Sequence, residues 1–324
     1  MRLINTYFIT SLLAIAIIGC NRTKSPESDS PVNTITADLI DSIVIKGNTS
    51  EIRTIKVLGP IALVITGDSE GFIKELTYPQ YECIDSAGFK GQGPGEWISV
   101  MAGQSPDTDE IPIYDIMNRI LRIASVKDST IIITDVDNLP TDEDGLSLPF
   151  GDIIKTNNNL WLVKENDMHN GTTLSTMDLK TQEKHASFRP TVNIDLSMKG
   201  YPNDDYHIAT DNRVIAVGYS SFNRVDILDA TTLEVLQSYG KDSPFEKNKT
   251  FTRQAVHHNG KFYLLQDTEN KNDPSPIRVF SDKGEEDTIL LSDNVKLIAF
   301  DNDGLLLGIK ETPEANVCVR YKLR

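Results

Sequence analysis

The chain is poor in the residues that usually declare a chemistry. Its 324 residues hold three cysteines, five histidines and two tryptophans. No Cys-x-x-Cys occurs, which excludes dithiol redox and zinc-ribbon readings. Neither a Gly-x-Ser-x-Gly elbow nor a Gly-x-x-x-x-Gly-Lys phosphate loop is present. His169, His185, His207, His257 and His258 form no His-x-x-x-His or His-Glu-x-x-His pair, so they read as ordinary loop and strand residues. Basic runs are also missing, and a net charge of −15 repels a phosphate backbone, so nucleic acid is excluded as a partner. No apolar run reaches the roughly 20 residues a membrane-spanning helix needs. Beyond residue 40 helical periodicity is hard to find.

What is present begins at the N-terminus. Arg2 precedes an apolar stretch, Tyr7 to Ile18, broken only by Thr10 and Ser11. This has the shape of a secretory signal, and Ile17-Ile18-Gly19-Cys20 has the form of a bacterial lipobox. Residues 1–19 are therefore expected to be a signal peptide, with Cys20 the lipidated first residue of the mature chain. The polar stretch that follows, within residues 20–40, reads as a flexible tether. Asn21 is not the aspartate of an inner-membrane retention signal, which favours the outer membrane and leaves its face open. The other cysteines, Cys83 and Cys318, lie far apart in apolar segments and are expected to be free and buried.

From residue 41 onward, short β-branched runs alternate with turn residues. One hairpin recurs, a polar turn followed by an apolar strand. Taking Pro60, Glu110, Asn159, Asn212, Gly260 and Gly304 as equivalent, the steps are 50, 49, 53, 48 and 44 residues. Each unit reads as four short strands in a meander. Six such units predict an all-β fold, a six-bladed β-propeller of four-stranded antiparallel blades over 41–324. Closure requires the ends to meet, so the strand near Asp41–Lys46 is expected to complete the last sheet beside Val317–Leu323.

The most distinctive stretch is Lys90-Gly-Gln-Gly-Pro-Gly-Glu-Trp97. Three glycines and a proline in five residues fit neither a helix nor a central strand. The stretch reads as a rigid corner in which Glu96 accepts hydrogen bonds from exposed amides and Trp97 re-enters a core. Gly91, Gly93, Pro94, Gly95 and Glu96 are accordingly assigned to structure. Gly91-x-Gly93 opens no helix, so it is not a dinucleotide fingerprint. The stretch resembles the Gly-x-Gly-Pro-Gly-Glu signature of six-bladed β-propeller lipoproteins of Bacteroidetes, a TolB-like or NHL-like family. Asp115-Ile-Met-Asn-Arg-Ile120 and Tyr219-Ser-Ser-Phe-Asn-Arg-Val225 resemble that family's blade hairpin, and the other units have drifted from it. The resemblance implies a secreted, membrane-anchored propeller and carries no ligand site with it.

Ligand chemistry is sparse. Asp135-Val-Asp-Asn138 with Asp142–Asp144, and Asp301-Asn-Asp-Gly304, lack the spacing of a calcium loop and read as turn residues, so no metal and no cofactor are expected. Trp161 with Tyr201 and Tyr206 could form a carbohydrate-stacking surface if exposed, and reads as packing if not. The expected function is non-enzymatic: a lipid-anchored binding or scaffold protein, with an envelope protein or glycan as candidate partner. The alternative is a hydrolase or lyase acting on glycans or small metabolites in the central funnel.

Overall fold

An unbroken apolar run suits a strand buried on both faces, as Ile61–Ile65 in the first unit and the shorter Val214–Val217 and Phe262–Leu265 in the fourth and fifth show. The computed structural model describes residues 32–47, 49–68, 70–91, 93, 96–106, 108–115, 117–128, 130–138, 150–156, 159–167, 171–190, 205–240, 250–268, 270 and 272–323. The expected signal peptide, Cys20, Pro94, Gly95, Asp142–Asp144, His169 and Tyr201 lie outside these.

Two strands, Asn33–Thr36 (β1) and Asp38–Val44 (β2), come first. Blade one is Ile52–Leu58, Ile61–Thr66, Glu70–Thr77 and Cys83–Phe89 (β3–β6). Blade two is Met101–Ala102, Ile111–Asp115, Ile120–Lys127 and Thr130–Asn138 (β7–β10). Blade three is Phe150–Lys155, Trp161–Asp167, Gly171–Asp178 and Glu183–Phe188 (β11–β14). Blade four is Tyr206–Thr210, Val214–Tyr219, Arg224–Asp229 and Val235–Gly240 (β15–β18). Blade five is Thr252–His258, Lys261–Gln266, Pro276–Ser281 and Gly284–Leu290 (β19–β22). Blade six is Leu297–Phe300, Leu306–Glu311 and Asn316–Lys322 (β23–β25), with β2 as its fourth strand.

The chain is thus a six-bladed β-propeller, and β2 closes the ring by pairing antiparallel with β25, Ser42 opposite Val319. One strand was not foreseen. β1 adds to the outer edge of blade five, parallel to β22, with Asn33 opposite Asp287. Residues Asn33–Thr36, inside the stretch read as tether, are therefore strand, because Ile35 and Ala37 pack on the core between blades five and six. Six apolar clusters fill the six blade-to-blade interfaces. Every sheet is covered on both faces, which is why second strands such as β4 and β16 read as continuous apolar runs. Cys318 is buried in one of these clusters. Cys83 departs from expectation and is exposed, because it opens β6, the outermost strand of its blade. Neither cysteine is in a disulfide.

Blade two breaks the ring's regularity. Its innermost strand, β7, ends after two residues, and the chain then crosses to blade three. There Gln104 N donates to Ile153 O at 2.9 Å, and Lys155 N donates to Gln104 O at 3.0 Å. A Cβ on Gly103 would collide with the Ile153 carbonyl oxygen, so the crossing requires glycine. The Gln104 side chain reaches on across the axis, donating to Ile208 O at 3.1 Å and Ala255 O at 3.3 Å. This crossing fills the part of the channel beside blades three and four. A cavity of about 880 Å³ remains, bounded mainly by blades one, two, five and six.

Candidate functional site

In blades one, three and five the innermost ladder carries a register shift near its start, between Ile52 and Thr54, Phe150 and Ile153, and Thr252 and Gln254. A bulge leaves one residue without a cross-strand partner and re-aims its side chain. The residues released in this way include Arg53, Asp152 and Arg253, and all three line the cavity. Their pattern is shared. Ile52 and Ile55 are buried with Arg53 and Thr54 between them, as Thr252 and Ala255 are with Arg253 and Gln254 between them. His207, the second residue of β15, and Lys296, just before β23, line the same cavity. Five blades therefore bring an ionisable side chain to one mouth.

The cations there are held unequally. Arg253 pairs with Asp267 and donates to Val295 O at 3.3 Å. Lys296 pairs with Glu311. Arg53 has Glu51 Oε2 at 3.5 Å and the Met101 sulfur at 3.6 Å, and Glu51 is 67% exposed. Pairs this exposed contribute about 0–1 kcal/mol, so their acids are easily displaced.

Asp152 sits deeper. Lys164 Nζ stands 3.0 Å from its Oδ2 and 3.1 Å from Asp205 Oδ1, and donates to Tyr206 O at 2.7 Å. Burial would raise the Asp152 carboxyl, but Lys164 and then His207 more than offset it and hold it below its ordinary value. Burial works against the charged Lys164, yet Asp152 and Asp205 hold its ammonium above the usual range. His207 is pulled below its ordinary value by burial, with Asp152 acting in the opposite sense. Both of its ring nitrogens lack a hydrogen-bond partner among the described residues. Chemically the mouth offers the cations Arg53, Arg253 and Lys296, an imidazole, and a carboxylate that shares one ammonium with Asp205, so an anion is best held on the arginine side.

At the other mouth lie the hairpin turns, and their charged side chains are occupied, although the Ser105 and Thr108 hydroxyls have no partner among the described residues. Asp301 accepts from Asp303 N at 3.0 Å, Leu305 N at 2.7 Å and the Tyr78 hydroxyl at 2.5 Å. His257 Nε2 accepts from Gly260 N at 3.2 Å, and its ring tilts on Phe262. His258 stacks on Phe300 with centroids 4.1 Å apart. Lys56 donates to the carbonyls of Ser105, Glu110 and Thr108.

The remaining sequence candidates lie elsewhere. Glu96 Oε2 accepts from Gly93 N at 2.6 Å, and Gly91 N donates to Trp97 O at 2.9 Å, forming a corner between blades one and two. Trp97 is 1% exposed, edge-on to Phe72 and with the Arg122 guanidinium 4.7 Å from its ring centre. None of Gly91, Gly93 and Glu96 lines the cavity. Trp161 and Tyr206 are buried in interblade cores, which removes them from any carbohydrate-stacking surface. Asp135 pairs with Arg122. Among the described residues no group of three or more His, Cys, Asp or Glu is placed to hold a metal ion. Arg53, Asp152, Arg253 and Lys296 were not legible as a site. Aligning the first strand of each unit would have shown a cation or histidine at its second residue in units one, four and five.

Comparison with known proteins supports the fold alone. No protein family and no curated protein matches the sequence. Among solved structures, a Bacteroides fragilis protein thought to be exported is similar at 8% identity over 90% of this chain and 99% of its own, with a TM-score of 0.55. U3-55K is similar at 11% identity over 88% of this chain and 100% of its own, also at 0.55. A PQQ-bound aldose sugar dehydrogenase of Streptomyces coelicolor is similar at 8% identity over 89% and 98%, with a TM-score of 0.54.

Proposed function

We propose that the protein is a lipid-anchored, extracytoplasmic binding protein that holds a small ligand in its central cavity and does not transform it. The observation that carries this reading is the state of the cavity's ionisable groups. Among the described residues most of its carboxylates are drawn into ion pairs, as Asp152 is by Lys164, Glu110 by Lys155 and Glu311 by Lys296, or into turn hydrogen bonds, as Asp301 is. The cavity's volume lies within the ordinary range for small-molecule sites, roughly 300–1,000 Å³. The lipobox ending in Cys20 and the Gly-x-Gly-Pro-Gly-Glu corner support membership of the Bacteroidetes propeller lipoproteins. The likeness to a Bacteroides protein thought to be exported supports a location outside the cytoplasm. Anchoring is tested by labelling with a palmitate analogue and fractionating membranes: wild type is labelled and membrane-bound, Cys20→Ala is neither. Binding without turnover is tested by following sugars and sugar acids by mass spectrometry after incubation with the protein. Unchanged ligand supports the reading; steady consumption moves it to the hydrolase or lyase, with Asp152 and His207 the groups to examine first.

A further inference from the structure

Blades one and five are built alike at the mouth. In each, a bulge follows the first residue of the innermost strand, and an arginine occupies the released position. The turn after the second strand is also equivalent. Gly67 N donates to Glu51 O at 2.7 Å in blade one, and Asp267 N donates to Phe251 O at 3.1 Å in blade five. The difference is the side chain at that turn. Asp267 supplies the carboxylate that pairs with Arg253, whereas Gly67 supplies none to Arg53. The Arg53 guanidinium is therefore left with an exposed glutamate at 3.5 Å and a thioether. A fork of five donors on the wall of a cavity, in a chain of net charge −15, is short of the oxygen atoms it is shaped to hold.

Resting on the binding reading above, we propose that Arg53 anchors the anionic group of a small organic ligand. The acid that Gly67 does not supply, and for which only the exposed Glu51 stands in, is then brought by the ligand. The class is a carboxylate- or phosphate-bearing metabolite of sugar size, its charged end on Arg53 and its body along the mouth toward Arg253 and His207. The His207 imidazole, on the same cavity wall, faces a hydroxyl of that body, which it can meet as donor or acceptor. Asp152 shares the single Lys164 ammonium with Asp205, so the anionic group is placed at Arg53 and not beside Asp152. Glu51 opposes that group and must turn outward, which its exposure permits.

Matched probes and two opposite variants test this. D-galactose, D-galacturonate and galactose 6-phosphate are titrated calorimetrically into wild type, Arg53→Ala and Gly67→Asp. The Gly67→Asp change restores the blade-five arrangement, placing a carboxylate beside Arg53, where the nearest atoms to a new Cβ belong to the Glu51 and Arg53 side chains and Glu51 must swing aside. The expected result is binding of at least one acid, at least tenfold tighter than galactose. That binding falls at least tenfold in both variants, while Gly67→Asp melts no lower than wild type. Which acid binds separates carboxylate from phosphate as the natural source of charge. If galactose binds as well as its acids, or if a correctly melting Gly67→Asp keeps full acid affinity, the anchor is wrong and the binding reading stands. Absence of binding by all three probes to wild type overturns the anchor as well. Binding accompanied by consumption of the acid leaves the anchor in place and overturns the non-enzymatic reading.

Discussion

The two mouths of the same cavity use charged residues in opposite ways. At the hairpin mouth, side chains serve the backbone: Asp301 accepts from two amides of its own turn, and Lys56 ties three carbonyls of blade two to blade one. At the bulged mouth, backbone irregularity serves the side chains, and Arg53, Asp152 and Arg253 are released from the ladders into the cavity. Charge at the first mouth is therefore structural. At the second it is available, and substitutions should separate stability from binding along this line.

The largest effect is expected where the channel is half filled. Gly103→Ala drives a methyl into the Ile153 carbonyl and should cost about 3 kcal/mol as overpacking, read as a lowered urea midpoint. Gly260→Ala, in open space at the hairpin mouth but with φ of 74°, should cost only about 1–2 kcal/mol. Melting the two equally would show that the crossing does not shape the cavity.

Next comes a crossed pair. Asp301→Ala strands two turn amides and the Tyr78 hydroxyl and should cost roughly 2 kcal/mol while sparing ligand affinity. Arg253→Ala should change stability by at most about 1 kcal/mol, because its acid partner is partly exposed, and should weaken acid binding. If Asp301→Ala loses binding and Arg253→Ala keeps it, the assignment of the mouths is reversed.

Glu75 belongs to neither mouth and calibrates the cost of a carboxylate with no task. It is fully buried on β5, and neither oxygen has a hydrogen-bond partner among the described residues. Burial, and then Asp85, hold its carboxyl above the ordinary value. A raised folded value means that stability present in acid is lost as pH rises through it. Glu75→Leu should therefore gain about 1–3 kcal/mol at pH 7 and lose that advantage toward pH 4.

The smallest effect concerns His207, whose folded value lies below that of the unfolded chain because of burial. The unfolded state then binds more protons below neutrality, and stability falls on acidification from about 6.5. His207→Gln should lose less stability than wild type between pH 7 and 5.5 in paired thermal melts. An equal loss would place the acid sensitivity elsewhere, His258 being the next group to test.

The two mouths also differ in how well the sequence reveals them. Hairpin chemistry is local: Thr210-Asp211-Asn212 or Asp301 through Gly304 forms its own hydrogen bonds within five residues, so the turns and the apolar strands after them could be placed from spacing. Corner residues such as Glu96 are readable for the same reason. The bulged mouth is not local. Whether Arg53 lines a cavity depends on a one-residue shift against β4, and whether it lacks a carboxylate depends on Gly67, fourteen residues away, and on blade five. Cys83 and β1 were misjudged for a related reason, since burial at a blade's outer edge depends on which strand is outermost and what adds to it.

Hydrogen–deuterium exchange with and without saturating D-galacturonate tests the central claim most directly. Slowed exchange in 51–55 and 252–256, with 258–261 and 301–305 unchanged, is the result predicted for a ligand at the bulged mouth. Protection confined to the hairpin turns, or no protection anywhere, would contradict it.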